Sequence, residues 1–154
     1  MIPAVALVGR SGSGKTWVLE RLAAHLRARG LRVGALKHTH HPVAGQSGDT
    51  LRLAEAGAAP VALAGPSFLV WYEPVALADA LRLFHGKADL VLVEGYKTER
   101  VVPRIEVVRD AEPMLNPSDL WACVSDTPLP GVDCYPFLEL DRLAERILCE
   151  LMPC

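Results

Sequence analysis

The 154-residue chain is 51% hydrophobic and 22% charged, which suffices for one well-buried globular domain spanning 1–154 and is short for two. Its net charge of −2 and pI near 6.2 supply no general electrostatic pull toward nucleic acid or an anionic membrane, and neither is expected as a partner. No stretch approaches the roughly 20 apolar residues that a bilayer-spanning helix requires.

Met1–Val8 is apolar but has no basic segment ahead of it, and Gly9 cuts the run short, so it reads as a strand and not as a targeting segment. Strand-like runs follow near 32–37, 60–64, 68–72, 89–94, 104–109 and 120–124, and helical patterns near 15–29, 48–57, 75–86 and 139–151. This alternation predicts an α/β fold of P-loop type, with three α/β/α layers around a mostly parallel central sheet. In the first helix Val18, Leu22 and Leu26 form one apolar stripe, charged residues occupy the other faces, and Gly30 ends the element. Residues 113–136 hold five of the twelve prolines, which predicts loop around one short strand. Cys123, Cys134, Cys149 and Cys154 form no CxxC pair, as expected of reduced thiols in a cytoplasmic protein.

Between the first strand and first helix stands Gly9-Arg10-Ser11-Gly12-Ser13-Gly14-Lys15-Thr16. Backbone amides can surround a triphosphate only if side chains do not block the approach, and glycines at 9, 12 and 14 meet that need. Lys15 would bring its charge to the β- and γ-phosphates, Thr16 would offer its hydroxyl to Mg²⁺, and the helix N-terminus adds free N–H groups and dipole. The loop is therefore a candidate nucleotide site, with Lys15 also a catalytic candidate. Arg10 reads either as a solvated residue or as a cation that reaches a partner's nucleotide.

The run Asp89–Gly95 is a buried strand ending in Glu94, where P-loop folds place the acid that orients Mg²⁺ or water. Glu94 is thus a candidate metal and catalytic residue, its alternative being a strand-end acid bonded to a neighbouring loop. Lys97 follows, either touching phosphate or solvated. Asp49 precedes a helical pattern and reads equally as its N-cap or as a carboxylate beside Mg²⁺. The cluster Lys37-His38-Thr39-His40-His41 leaves the second strand at the sheet edge where ligands of open α/β folds bind. Without a distal cysteine, a loop binding an anion or a partner is favoured there over structural zinc.

These motifs, in the order P-loop, Lys37–His41, Gly48-Asp49-Thr50-Leu51-Arg52 with Glu55-Ala56-Gly57-Ala58, and Val93-Glu94-Gly95-Tyr96-Lys97, resemble the molybdopterin-guanine dinucleotide biosynthesis protein B family, MobB. The likeness runs from about Val5 to Lys97 and continues weakly in Val124-Ser125-Asp126. It implies a dimeric GTP-binding adapter with weak GTPase activity that assists the guanylyltransferase attaching GMP to molybdopterin. By position it implies that Gly12, Ser13, Gly14, Lys15, Thr16 and Trp17 hold phosphates, that Thr16 and Asp49 lie near Mg²⁺, and that Glu94 is the second acid. The family often has lysine before the aspartate of its Gly-Lys-Asp-Ser element, whereas Gly48 and Thr50 flank Asp49 here. No Asn-Lys-x-Asp run marks guanine preference. Asp126 is the acid best placed to accept from guanine N1 and N2, its other reading being to open the turn at Thr127-Pro128.

The leading functional expectation is an adapter whose nucleotide state orders the Lys37–Gln46 loop, with slow turnover because no water-positioning glutamine or arginine finger is evident. A small-molecule kinase is the alternative, although no arginine-rich lid follows the loop, and a protein-interaction module with a vestigial P-loop is a third. The segment Phe68–Tyr72 is expected as a core strand or as a pairing strand in a homodimer.

Overall fold

The computed structural model describes residues 1–39, 49–58, 60–72 and 75–152. Two compact units are formed, one from Met1–His38 with Leu77–Cys154 and the other from Thr39–Ala76.

The larger unit is built on strands β1 (Ala4–Val8), β2 (Val33–Lys37), β5 (Leu90–Glu94), β6 (Arg104–Val107), β7 (Ala122–Val124) and β8 (Cys134–Tyr135). They lie in the order β2-β5-β1-β6-β7-β8, and every pairing is parallel. Helices α1 (Lys15–Arg27), α3 (Leu77–Arg82) and α4 (Leu140–Leu151) belong to this unit. The sheet's apolar runs are continuous because both faces are covered. On one face Val5, Leu7, Leu90, Leu92, Ile105 and Val107 pack with the α1 stripe Val18, Leu22 and Leu26 and the α4 stripe Leu140, Leu143, Ala144 and Ile147. On the other, Ala4, Ala6, Val91 and Val93 meet Leu77 and Leu81 of α3. The strand period of two sends alternate residues to the two layers, which gives the three-layer arrangement expected from the sequence.

Strand β6 departs from this pattern in an instructive way. Its alternate residues are charged, yet Arg104 and Glu106 are 6% and 1% exposed. Glu106 accepts hydrogen bonds from the amides of Met114 (2.5 Å) and Leu115 (3.1 Å), and Arg104 donates to the carbonyls of Lys97 (3.2 Å) and Asp119 (2.8 Å). A buried charge persists only when such partners surround it. The proline-rich segment, held by these two side chains, thus serves that part of the sheet in place of a helix. It also contains a 3₁₀ turn (Pro117–Asp119) and the two-residue strand β8, an element too short for its periodicity to announce it.

The smaller unit contains α2 (Asp49–Glu55) and an antiparallel hairpin of β3 (Val61–Gly65) and β4 (Phe68–Tyr72). Only Pro66 and Ser67 separate the two strands, a connection that permits a hairpin and is far too short for the crossover of a parallel pair. The expected core strand 68–72 is therefore not a member of the central sheet. Among the described residues no helix is long and apolar enough to cross a membrane.

Candidate functional site

Strand β1 ends at Val8, and the loop from Gly9 to Gly14 turns the chain into α1. Gly9 has φ 142°, and a Cβ there would stand 2.5 Å from the carbonyl oxygen of Val107, so the loop lies directly against β6. Gly14, at φ 96°, is the N-cap of α1 and brings no capping side chain, and the first turn of the helix contains no acid. The amides and positive dipole end of α1 are thus left without a neutralising group of their own. The Ser13 side chain is 5% exposed, and its Oγ is the buried side-chain polar atom that has no hydrogen-bond partner among the described residues. An orphaned hydroxyl inside a glycine-rich turn marks a place where an oxygen-rich ligand completes the bonding.

Lys15 arches back over the loop, its Nζ donating to the carbonyls of Gly9 (3.1 Å) and Arg10 (2.7 Å). This fixes a positive charge across the turn. Thr16 donates from Oγ1 to Glu94 Oε2 at 3.0 Å, and Lys37 Nζ stands 3.4 Å from Glu94 Oε1. The parallel pairings of β5 with β1 and β2 place Glu94 opposite both Leu7 and Lys37, which explains why residues so distant in sequence converge. The Glu94 side chain is 14% exposed, so the lysine supplies the countercharge that its partial burial demands. Two hard oxygen donors, Thr16 Oγ1 and Glu94 Oε2, lie side by side, a donor set that suits Mg²⁺ completed by phosphate and water oxygens.

The remaining candidates are distributed as follows. Asp49 is the first residue of α2 in the smaller unit, almost fully exposed, with Arg52 Nη1 at 3.8 Å from its Oδ1. Arg10 is exposed and donates from Nε to the Glu112 carbonyl at 3.3 Å. Lys97 is exposed. Trp17 is 37% exposed, and its ring lies 6.2 Å from that of Phe137 with the guanidinium of Arg21 over it at 5.2 Å. Asp126 follows β7, and its Oδ1 accepts from the Phe137 amide at 3.0 Å, tying the β7 end to the chain after β8. Of the histidine cluster, His38 stacks on Tyr96 with ring centroids 4.2 Å apart, while His40 and His41 lie outside the described residues. Among the described residues no group of three His, Cys, Asp or Glu side chains is arranged to hold a metal. Cys123, Cys134 and Cys149 are free thiols, and burial beside Cys134 pushes the Cys123 thiol far above its ordinary range, which makes it inert.

Two residues outside the motifs also stand in this neighbourhood. Arg109 stands just beyond β6, its guanidinium 4.2 Å from the centroid of the Phe137 ring. Both residues border Gly14, for a Cβ at that position would lie 3.6 Å from Phe137 Cε1 and 3.8 Å from Arg109 Nη2. No motif signals either one, because they reach the loop through the parallel order of β1, β6, β7 and β8 and not through local spacing.

Tyr96, at φ 53°, turns the chain away from Glu94. Burial, reinforced by the charge of Glu99, raises its phenol above the ordinary tyrosine value. Because the folded protein holds this proton more tightly than the unfolded chain, the contribution is fully present below the unfolded pKa and is lost as pH rises through the folded one. Spectrophotometric titration is expected to show a tyrosine ionising later in the folded wild type than in unfolded protein, and Tyr96→Phe to remove that transition. A wild-type curve matching that of free tyrosine would contradict this.

The family model described as molybdopterin guanine dinucleotide synthesis protein B matches residues 4–126. A molybdopterin-guanine dinucleotide biosynthesis adapter protein of Haemophilus influenzae is 36% identical over 155 aligned positions, covering 92% of this chain and 79% of the relative. The protein of the same description from Escherichia coli K12 is 36% identical over 145 positions, covering 84% and 81%. The crystal structure of molybdopterin-guanine biosynthesis protein B superposes with a TM-score of 0.62 at 28% identity, covering 96% of this chain and 98% of that one. The matched span begins with β1 and closes on Asp126, so it takes in the loop, Thr16, Glu94 and Lys37 together. This chain belongs to the molybdopterin guanine dinucleotide synthesis protein B family, MobB.

Proposed function

We propose that the chain is a GTP-binding adapter of molybdenum-cofactor biosynthesis, a slow GTPase that assists the guanylyltransferase joining GMP to molybdopterin and works as a cytoplasmic homodimer. The observation that carries the nucleotide part is the Thr16 hydroxyl 3.0 Å from Glu94 Oε2, beside a glycine loop bridged by Lys15. The adapter part rests on family membership and on relatives that carry that description.

In this reading Gly9, Gly12, Ser13, Gly14 and the first turn of α1 as far as Trp17 surround the phosphates through backbone N–H groups, and Ser13 Oγ gains its missing partner. Lys15 leaves the two carbonyls it now bridges for β- and γ-phosphate oxygens. Mg²⁺ would be held by Thr16, by Glu94 directly or through water, and by phosphate oxygens. Bound there, it neutralises phosphate charge. Lys37 holds Glu94 in place. Asp126, with one oxygen engaged by the Phe137 amide, keeps the other to accept from guanine N1 and N2. Adenine offers no donor pair on that edge.

Calorimetric titration of the purified protein with GTP and with ATP, both with Mg²⁺, tests the reading. GTP is expected to bind at least tenfold more tightly, with phosphate release that is slow and needs no acceptor. Equal affinity for ATP would remove the guanine assignment, and acceptor-dependent consumption of nucleotide would point to a kinase. Retention of purified guanylyltransferase on the GTP-loaded protein, compared with the GDP-loaded protein, tests the adapter role.

A further inference from the structure

We propose that Arg109 binds the nucleoside, its guanidinium sandwiched between the Phe137 ring and the base of the bound nucleotide. The inference rests on the GTP reading above and names a residue of the same site.

The loop has two unlike flanks. Toward β5 and β2 stand Glu94 and Lys37, with the Thr16 hydroxyl on Glu94, and this is the flank of metal and terminal phosphate. A nucleotide whose last phosphate points that way carries its nucleoside out on the other flank, over the ends of β6, β7 and β8. There the side chains change in kind. Phe137 is anchored by its amide to Asp126, and Arg109 lies over the Phe137 ring at 4.2 Å.

Backbone geometry sets Arg109 in place. The Val108 amide donates to the Val124 carbonyl at 2.9 Å, holding the end of β6 to β7, and Asp110 at φ 52° then turns the chain sharply. The side chain between them is exposed, and among the described residues no hydrogen bond or ion pair engages its guanidinium. Its Nη2 would stand 3.8 Å from a Cβ on Gly14, so this unpaired cation lies at the positive end of α1, where a helix disfavours positive charge. With no acid beside it, the guanidinium is held by the Phe137 ring, which suits a ligand that brings a second aromatic face. The guanidinium carbon lies over the Phe137 ring, and the exposed side of the group is open to a purine; arginine's planar group can stack between two rings and lysine's ammonium cannot.

The test compares wild type, Arg109→Ala and Arg109→Tyr for binding of Mg²⁺–GTP and of Mg²⁺–tripolyphosphate, which has the phosphates and no base. Since stacking on one base is lost, GTP affinity is expected to fall about tenfold in Arg109→Ala. Tripolyphosphate affinity should stay within twofold, and Arg109→Tyr, which restores a flat face without charge, should recover most of the GTP affinity. An equal loss for GTP and tripolyphosphate, or Arg109→Tyr as weak as Arg109→Ala, would make Arg109 a phosphate contact and overturn the proposal. So would unchanged GTP binding in Arg109→Ala. A wild-type protein that binds no GTP would instead overturn the nucleotide reading itself and the inference with it.

Discussion

Lys15→Ala is expected to lower the affinity for Mg²⁺–GTP by about 100-fold, equivalent to about 3 kcal/mol, while the protein stays folded. The magnitude follows from removing a charged donor whose hydrogen bonds to phosphate oxygens are among the stronger kind. The fold should tolerate the change because, among the described residues, the Lys15 side chain's hydrogen bonds go to two carbonyls of the loop itself, Gly9 and Arg10. Once the side chain is gone, those carbonyls can turn to water. Calorimetry with GTP gives the affinity and thermal unfolding gives the stability. If the variant bound GTP within threefold of wild type, Lys15 would not be a phosphate ligand and the loop would lose its main cation. Lys15→Arg should recover only part of the loss, because a broad planar guanidinium replaces the compact ammonium that meets the phosphates.

Gly9→Ala is expected to act on the fold first, destabilising it by about 3 kcal/mol and lowering the unfolding midpoint by about 6–12 °C for a chain of this size. Two costs coincide at this residue. A φ of 142° lies where side chains are strained, and the added methyl would meet the Val107 carbonyl oxygen at 2.5 Å and Ser13 Oγ at 3.0 Å. The first of these neighbours is backbone at the end of β6, in register with Val124 of β7, and it cannot move without disturbing that pairing. Gly12 provides the contrast within the same loop. A methyl there meets nothing within 4 Å, so Gly12→Ala bears only the strain of φ 78° and should cost clearly less. Thermal scans of the two variants decide the matter, and equal midpoints would show that the contact with Val107 carries no weight.

Both variants concern residues whose type and spacing could be read from the sequence, and the reason is local. A glycine loop between an apolar run and an amphipathic helix has to be continuous in the chain, because helix N-terminus, loop amides and lysine act on one anion. For the same reason the order of strands and helices was legible: periods of 2 and 3.6 are local properties, and β1, α1 and α4 lie close to their expected bounds. Glu94 was legible too, since a carboxylate ending a fully buried strand stands out against its surroundings.

What remained hidden in the sequence depends on which strands become neighbours. The buried charges Arg104 and Glu106 look like an ordinary solvated alternation until the sheet order puts the proline-rich segment over them. The segment Phe68–Tyr72 has the composition of a core strand, and a two-residue turn sends it into a hairpin outside the central sheet. Arg109 and Phe137 carry no motif and meet at Gly14 only because β6 and β8 run parallel to β1 on the same flank. By itself the sequence determined a P-loop α/β chain of the MobB family, with a glycine loop and its lysine between the first strand and the first helix. Tertiary structure alone decided that Lys37 neutralises Glu94 and that an arginine on an aromatic ring borders the loop on its other side. The physical reason is that phosphate recognition is concentrated in consecutive backbone amides, whereas the countercharge and the stacking surface are assembled across strands that only the folded sheet brings together.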